Sequence, residues 1–301
     1  NFSQRAKGIN GGYWLNKNNV MIYHQSKVEE DFEMLLTWLQ IENGVVSFID
    51  SYSFGQFSRV NAMGGGMSAF NSGIVLATGG LSIEFDTRSQ STSSNYGKLL
   101  YIDIEAVTSA RRFEKENFTV LANGLRNPYG IVESNGRHFL TDHGEQAGDI
   151  IAEIVPDGNF GRNLYDYGRP YNHSRNLYKN KPDNFIEPLF YFNPAIAPSD
   201  ISTCPFEDSA QGYGNCLVVS SLRGQSMFIL KLKKTGGIQT AYVQSIEQID
   251  VGERIRRIET VGDTVYIFTD SLNVYIVKYF KDYTEKLEER ITPYQIYMIR
   301  R

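Results

Sequence analysis

A chain of 301 residues with 41% hydrophobic and 21% charged residues carries enough apolar side chain for one large core, and nothing in its composition divides it, so a single domain over residues 1–301 is expected. The formal charge of -4 provides no broad positive field, which argues against nucleic acid and anionic lipid as partners. No run approaches the roughly 20 apolar residues of a membrane helix, and Asn1-Phe2-Ser3 is not a basic-then-apolar signal.

Tyr, Phe, Val and Ile gather in short alternating runs bounded by Gly, Asn and Asp, with little helical periodicity, which predicts an all-β chain with few helices. One pattern of strand, tight turn, strand ending in small polar residues and further strand recurs along the chain. Its copies run from Val20-Met21-Ile22-Tyr23 to Leu39, and from Met67 through Gly73–Thr78 to Leu99–Ile102. The clearest runs from Tyr129 through Asn135-Gly136 to Asp149–Ile154. The next spans Cys216 to Leu232, and the last runs from Arg257 through Gly262-Asp263 to Asn273–Val277. Asn-Gly is a two-residue hairpin signal because both positions tolerate positive φ. A repeat of roughly 40 to 60 residues is longer than sandwich hairpins and matches propeller blades, with a sandwich or jelly roll as the alternative.

Two cysteines, Cys204 and Cys216, flank a polar stretch with Pro205, Gly212 and Gly214. Chain reversal there brings them within disulfide range, and two buried free thiols are the alternative. Glycosylation-type triplets begin at Asn1, Asn117 and Asn172, and together with the cysteines they favour an extracytoplasmic setting, secreted or periplasmic.

Gly124-Leu125-Arg126-Asn127-Pro128-Tyr129-Gly130-Ile131, followed by Thr141-Asp142-His143-Gly144, then Glu145, Gly148-Asp149 and Gly158-Asn159-Phe160-Gly161, resembles the soluble quinoprotein sugar dehydrogenases that use pyrroloquinoline quinone (PQQ). Ala197-Pro198-Ser199, Ser221-Leu222-Arg223-Gly224 and Arg254-Ile255-Arg256 follow in the family's order, and Gly11-Gly12-Tyr13-Trp14-Leu15 is similar to its second blade. The resemblance implies a six-bladed β-propeller whose first blade is incomplete or missing in this chain.

It also implies a PQQ-dependent aldose dehydrogenase acting on a sugar or related alcohol. A quinone with three carboxylates calls for converging cations. By the resemblance, Arg126 and Asn127 approach the quinone oxygens and Arg223, Arg254 and Arg256 the carboxylates. Asp149 orients the arginines, and the backbone carbonyls of Gly144 and Glu145 hold a calcium ion. The family's proton-accepting histidine has no counterpart in Asn61-Ala62-Met63-Gly64-Gly65-Gly66-Met67, so His143 becomes the candidate catalytic base. By the resemblance, Asn193-Pro194-Ala195 stands where the family faces its cofactor, and Ile150 and Phe160 stand where the family places side-chain ligands of a structural calcium. A non-catalytic propeller acting as a binding or interaction module is the second reading. His24, His138 and His173 lack ligand-spaced neighbours and read as structural or surface residues.

Overall fold

The computed structural model describes residues 6–57, 63–80, 87–168, 171, 180–205, 216–234, 241–279 and 294–299. Alternating runs become strands and consecutive strands pair, giving five four-stranded antiparallel sheets in chain order. The first holds β1 (Ala6–Asn16), β2 (Asn19–Val28), β3 (Asp31–Glu42) and β4 (Val45–Phe57). The second holds β5 (Gly64–Phe70), β6 (Gly73–Thr78), β7 (Lys98–Ile102) and β8 (Phe118–Asn123). The third holds β9 (Pro128–Ser134), β10 (Arg137–Asp142), β11 (Asp149–Glu153) and β12 (Phe190–Phe192). The fourth holds β13 (Pro198–Thr203), β14 (Cys216–Ser221), β15 (Ser226–Lys234) and β16 (Ala241–Asp250), and the fifth β17 (Ile255–Val261), β18 (Thr264–Thr269), β19 (Val274–Tyr279) and β20 (Tyr294–Ile299). One short helix, α1 (Ile104–Ala110), is capped by Asp103, whose Oδ1 accepts from the Ala106 amide.

The turns follow the residue types. Asn135 and Gly136 both adopt positive φ, 53° and 74°, and Arg137 pairs with Ser134 across a two-residue turn. The first strand of each sheet packs on the first strand of the next, β1 on β5, β5 on β9, β9 on β13 and β13 on β17. That approach requires glycine. A Cβ on Gly11 would lie 1.8 Å from the Gly65 carbonyl oxygen, and one on Gly130 would lie 2.5 Å from the Ile201 amide nitrogen.

Between successive blades lie four apolar cores. Met21, Met34 and Leu36 of the first blade meet Ile74, Leu76 and Leu100 of the second. Val75 and Leu99 join Leu140 and Ala152. Phe139 and Ile151 join Leu217 and Val219. Val218 and Ile229 join Ile258, Val265 and Ile267. Each fully buried aliphatic contributes about 1.5–3 kcal/mol, so the blades are held face to face as a propeller and not as two stacked sheets.

The expected six-bladed ring is corrected: the described residues form a propeller of five blades. The five repeats counted along the sequence are the five blades. The sixth came from the resemblance alone, and Gly11–Leu15 lie on the inner strand of the first blade. Cys204 and Cys216 form a disulfide with Cα atoms 5.1 Å apart, joining the end of β13 to the start of β14. Asn117 is buried, and its Oδ1 accepts from the Glu114 amide, so this triplet presents no glycan acceptor. Asn1, Asn172 and His173 lie outside the described residues.

Candidate functional site

Two buried aspartates anchor the loop joining β10 to β11, Asp142 to the loop preceding β9 and Asp149 to the segment leading into β13. Asp142 ends β10, and its carboxylate accepts from the backbone amides of Arg126 (2.8 Å) and Asn127 (2.5 Å). Asp149 opens β11 and accepts from Gly144 (2.8 Å), Ile196 and Ala197 (2.7 Å each). Burial pushes Asp142 up to about 6, while the two amides and the nearby guanidiniums pull the other way. The Asn127 Oδ1 accepts from the Gly64 amide in the preceding blade at 3.1 Å. Gly64 adjoins Met63, which is buried, whereas Asn61 and Ala62 lie outside the described residues.

His143 is positioned by both ring nitrogens. Nε2 lies 2.6 Å from the Pro198 carbonyl oxygen and donates to it, and Nδ1 lies 3.4 Å from the side-chain Nδ2 of Asn127 and accepts from it. Burial lowers its pKa against the opposing charge of Asp149, which keeps the imidazole neutral. In this arrangement both nitrogens face protein groups.

Arg126 is buried, 9% exposed, and its guanidinium reaches the His143 carbonyl at 3.4 Å and the Tyr171 ring at 5.9 Å. Its Nε has no hydrogen-bond partner among the described residues. It lines a cavity of about 20 Å³ with Asp142, His143, Arg162 and Asp166; Ile150 and Phe160 also line this cavity. Arg162 is a buried cation that sequence reasoning missed. It pairs with Glu145 at 2.7 Å and lies 3.9 Å from Asp166. Burial raises the Glu145 pKa, but the bond to Arg162 and its charge outweigh it, so the carboxyl sits below the usual range. The available signal was an arginine directly after Gly158–Gly161 with an aspartate four residues on.

The other predicted arginines lie elsewhere. Arg254 and Arg256, each about half exposed, share Asp270: Arg254 Nε donates to one oxygen at 2.9 Å and Arg256 Nε to the other. Two cations on one carboxylate leave a net positive charge there. Arg256 lines a channel of about 750 Å³ bordered by all five inner strands, with Trp14, Tyr129, Ser199, Asp200 and Glu259. Arg126 faces the small cavity and Arg256 the channel, whereas Arg223 is exposed and lines neither. The structure therefore brings Arg126, Asn127, His143, Gly144 and Asp149 into one hydrogen-bonded cluster and Arg254 with Arg256 into another. Among the described residues no group of three or more His, Cys, Asp or Glu side chains is arranged to hold a metal ion, and no helix is long and apolar enough to cross a membrane.

Residues 53–278 match the family model described as glucose/sorbosone dehydrogenase. Among solved structures, the soluble aldose sugar dehydrogenase of Escherichia coli in its apo-form is similar at 18% identity, with 85% of this chain and 76% of that chain covered and a TM-score of 0.66. A glucose dehydrogenase gives 20% identity, 86% and 77% coverage and a TM-score of 0.69. The PQQ-bound form of the aldose sugar dehydrogenase of Streptomyces coelicolor gives 17%, 83% and 69% with a TM-score of 0.58. Among curated proteins none matches. With the family model spanning most of the chain and the Arg126–Asp149 cluster built on its propeller, this protein belongs to the glucose/sorbosone dehydrogenase family.

Proposed function

We propose that this protein is a PQQ-dependent aldose-dehydrogenase-like oxidoreductase acting on the CH–OH group of a sugar or related alcohol. The observation that carries this reading is Arg126, a buried guanidinium whose Nε lacks a partner among the described residues while the neighbouring carboxylates are taken by backbone amides and Arg162. Arg126 and Asn127 would donate to the oxygens of an anionic quinone, whereas Arg254 and Arg256 are held on Asp270 in a separate cluster and Arg223 lines neither space, so the carboxylate contacts implied by the resemblance are not assembled beside Arg126. When bound, such a quinone accepts hydride.

The chain's own part is positioning. Asp142 sets the backbone of Arg126 and Asn127, and Asp149 fixes the loop of Gly144 and Glu145, whose carbonyls would take calcium. The disulfide favours an oxidising, extracytoplasmic compartment. Adding PQQ and calcium to the purified protein should give a bound-quinone absorbance, lost in Arg126→Met, and aldose-dependent reduction of an acceptor dye. Absence of bound quinone would end this reading.

A second reading, a binding or interaction module without hydride transfer, is favoured by His143. Both its nitrogens are engaged, residues 61–67 contain no histidine, and a positioned general base contributes about 10²- to 10⁴-fold in rate. Bound quinone with no turnover on any aldose would select this reading. If His143 is the base, His143→Ala loses turnover while keeping bound quinone.

A further inference from the structure

The outer edge of the first blade is bare at one end. From Asp50 onward β4 is covered by the second blade. The Asp50 carboxylate accepts from the Phe113 amide at 2.6 Å, the Tyr52 and Phe54 rings meet Phe118 at 4.3 and 5.7 Å, and the Gly55 carbonyl accepts from the Tyr96 hydroxyl at 2.7 Å. Before Asp50, Val45, Val46 and Phe48 are 64%, 59% and 62% exposed, and Ser47 between them is exposed too. Among the described residues no backbone bond from beyond the sheet reaches residues 45–49, and the stretch holds neither a charge nor a proline. Sheet edges are normally blunted by shortness, cover or charge, and the next three blades do this. The β8 edge accepts from the Asp157 and Phe160 amides at Leu121 and Asn123, β12 has three residues, and β16 carries Glu247 and Asp250.

We infer that residues 45–49 pair with the same strand of a second copy of this chain, in an antiparallel two-fold dimer centred on Ser47. The stretch is self-complementary in that register. Val46 and Phe48 pair with Ile41 and Leu39 of β3, so they share one face of the sheet. The axis sets each Val46 opposite the partner's Phe48, an aromatic and β-branched pair that stabilises antiparallel strands. A two-fold axis would also set like charges together, and here there are none to repel. Five paired residues span about 17 Å and, with about 10 Å of side chain on either face, cover roughly 350 Å² per copy. That is less than half of the about 800 Å² per partner of a standard interface, so the dimer is weak and reversible. No residue of the quinone reading takes part, and the two stand or fall separately.

Ser47→Cys places a free thiol on the axis, because the two native cysteines are joined to each other. Opposed residues of antiparallel strands lie about 4.5–5.5 Å apart at Cα, within disulfide range. Mild oxidation should therefore link two copies, faster than in Val261→Cys, an exposed position in the fifth blade. In sedimentation velocity over a roughly hundredfold range of concentration the unmodified chain should shift from monomer towards dimer. Phe48→Lys should weaken that association roughly tenfold, and mixing Val46→Lys with Phe48→Glu should restore it, since lysine then faces glutamate across the axis. A monomer at every concentration, or cross-linking no faster than in Val261→Cys, overturns the inference. So does a dimer that Phe48→Lys leaves intact, which would put the contact on another surface.

Discussion

The carboxylate of Asp149 accepts a hydrogen bond from the backbone amide of Ala197, 48 residues away at the entrance to the next blade, at 2.7 Å. The same carboxylate holds Ile196 and Gly144, so one side chain joins the loop between β10 and β11 to the segment that starts the fourth blade.

Asp149 is fully buried. Asp149→Asn leaves at least one of three backbone donors facing an amide N–H, and it should lower unfolding stability by about 3 kcal/mol. Urea denaturation checks this, and a change below about 0.5 kcal/mol would show that the three amides find other acceptors.

Breaking the buried pair of Arg162 and Glu145 strands one charge. Arg162→Met and Glu145→Gln should each cost about 3–5 kcal/mol. The double variant should cost clearly less than their sum, because the second change removes the charge stranded by the first. Additive losses in a double-mutant cycle would mean that the two side chains act independently.

Asp200 is buried between β13 and β17, with its carboxylate accepting from the Ile258 amide at 3.1 Å, and burial pushes it up to about 6. In the unfolded chain an aspartate titrates near about 3.9. The folded state therefore holds the proton more tightly between those values, and stability falls as pH rises from about 4 to about 6, then levels off. Asp142 and Asp166 shift in the same direction. In Asp200→Asn that decline should shrink by about 2 kcal/mol, measured by denaturation at pH 4.5 and 7. An unchanged slope would show that Asp200 titrates normally.

The disulfide closes a separation of 12 residues. Its removal in the double variant Cys204→Ala, Cys216→Ala should cost about 2–3 kcal/mol. Reductant should destabilise the native protein equally and leave the double variant unmoved. A reductant effect on the variant would point to another cause.

Much of the strand pattern was legible because strand formation is local. Alternation, Asn135-Gly136 and the repeat order around Val20, Met67, Tyr129, Cys216 and Arg257 mark the five blades, and Cys204 and Cys216 sit close enough in sequence for their bridge to be one of two options. The blade count went wrong where the resemblance was added to the repeats actually present. The site was legible as a motif from Arg126 to Asp149, but the fate of its members was not. The engagement of His143 depends on Pro198, 55 residues on.

By itself the sequence determined the all-β class, the five repeats and the family, since these rest on neighbouring residues and motif order. Only the tertiary structure decided which charges meet: Arg162 on Glu145, Arg254 and Arg256 on Asp270, and Arg126 with its Nε unpartnered among the described residues. Pairing of buried charges is set by how loops from different blades pack, and no local pattern in a strand records it.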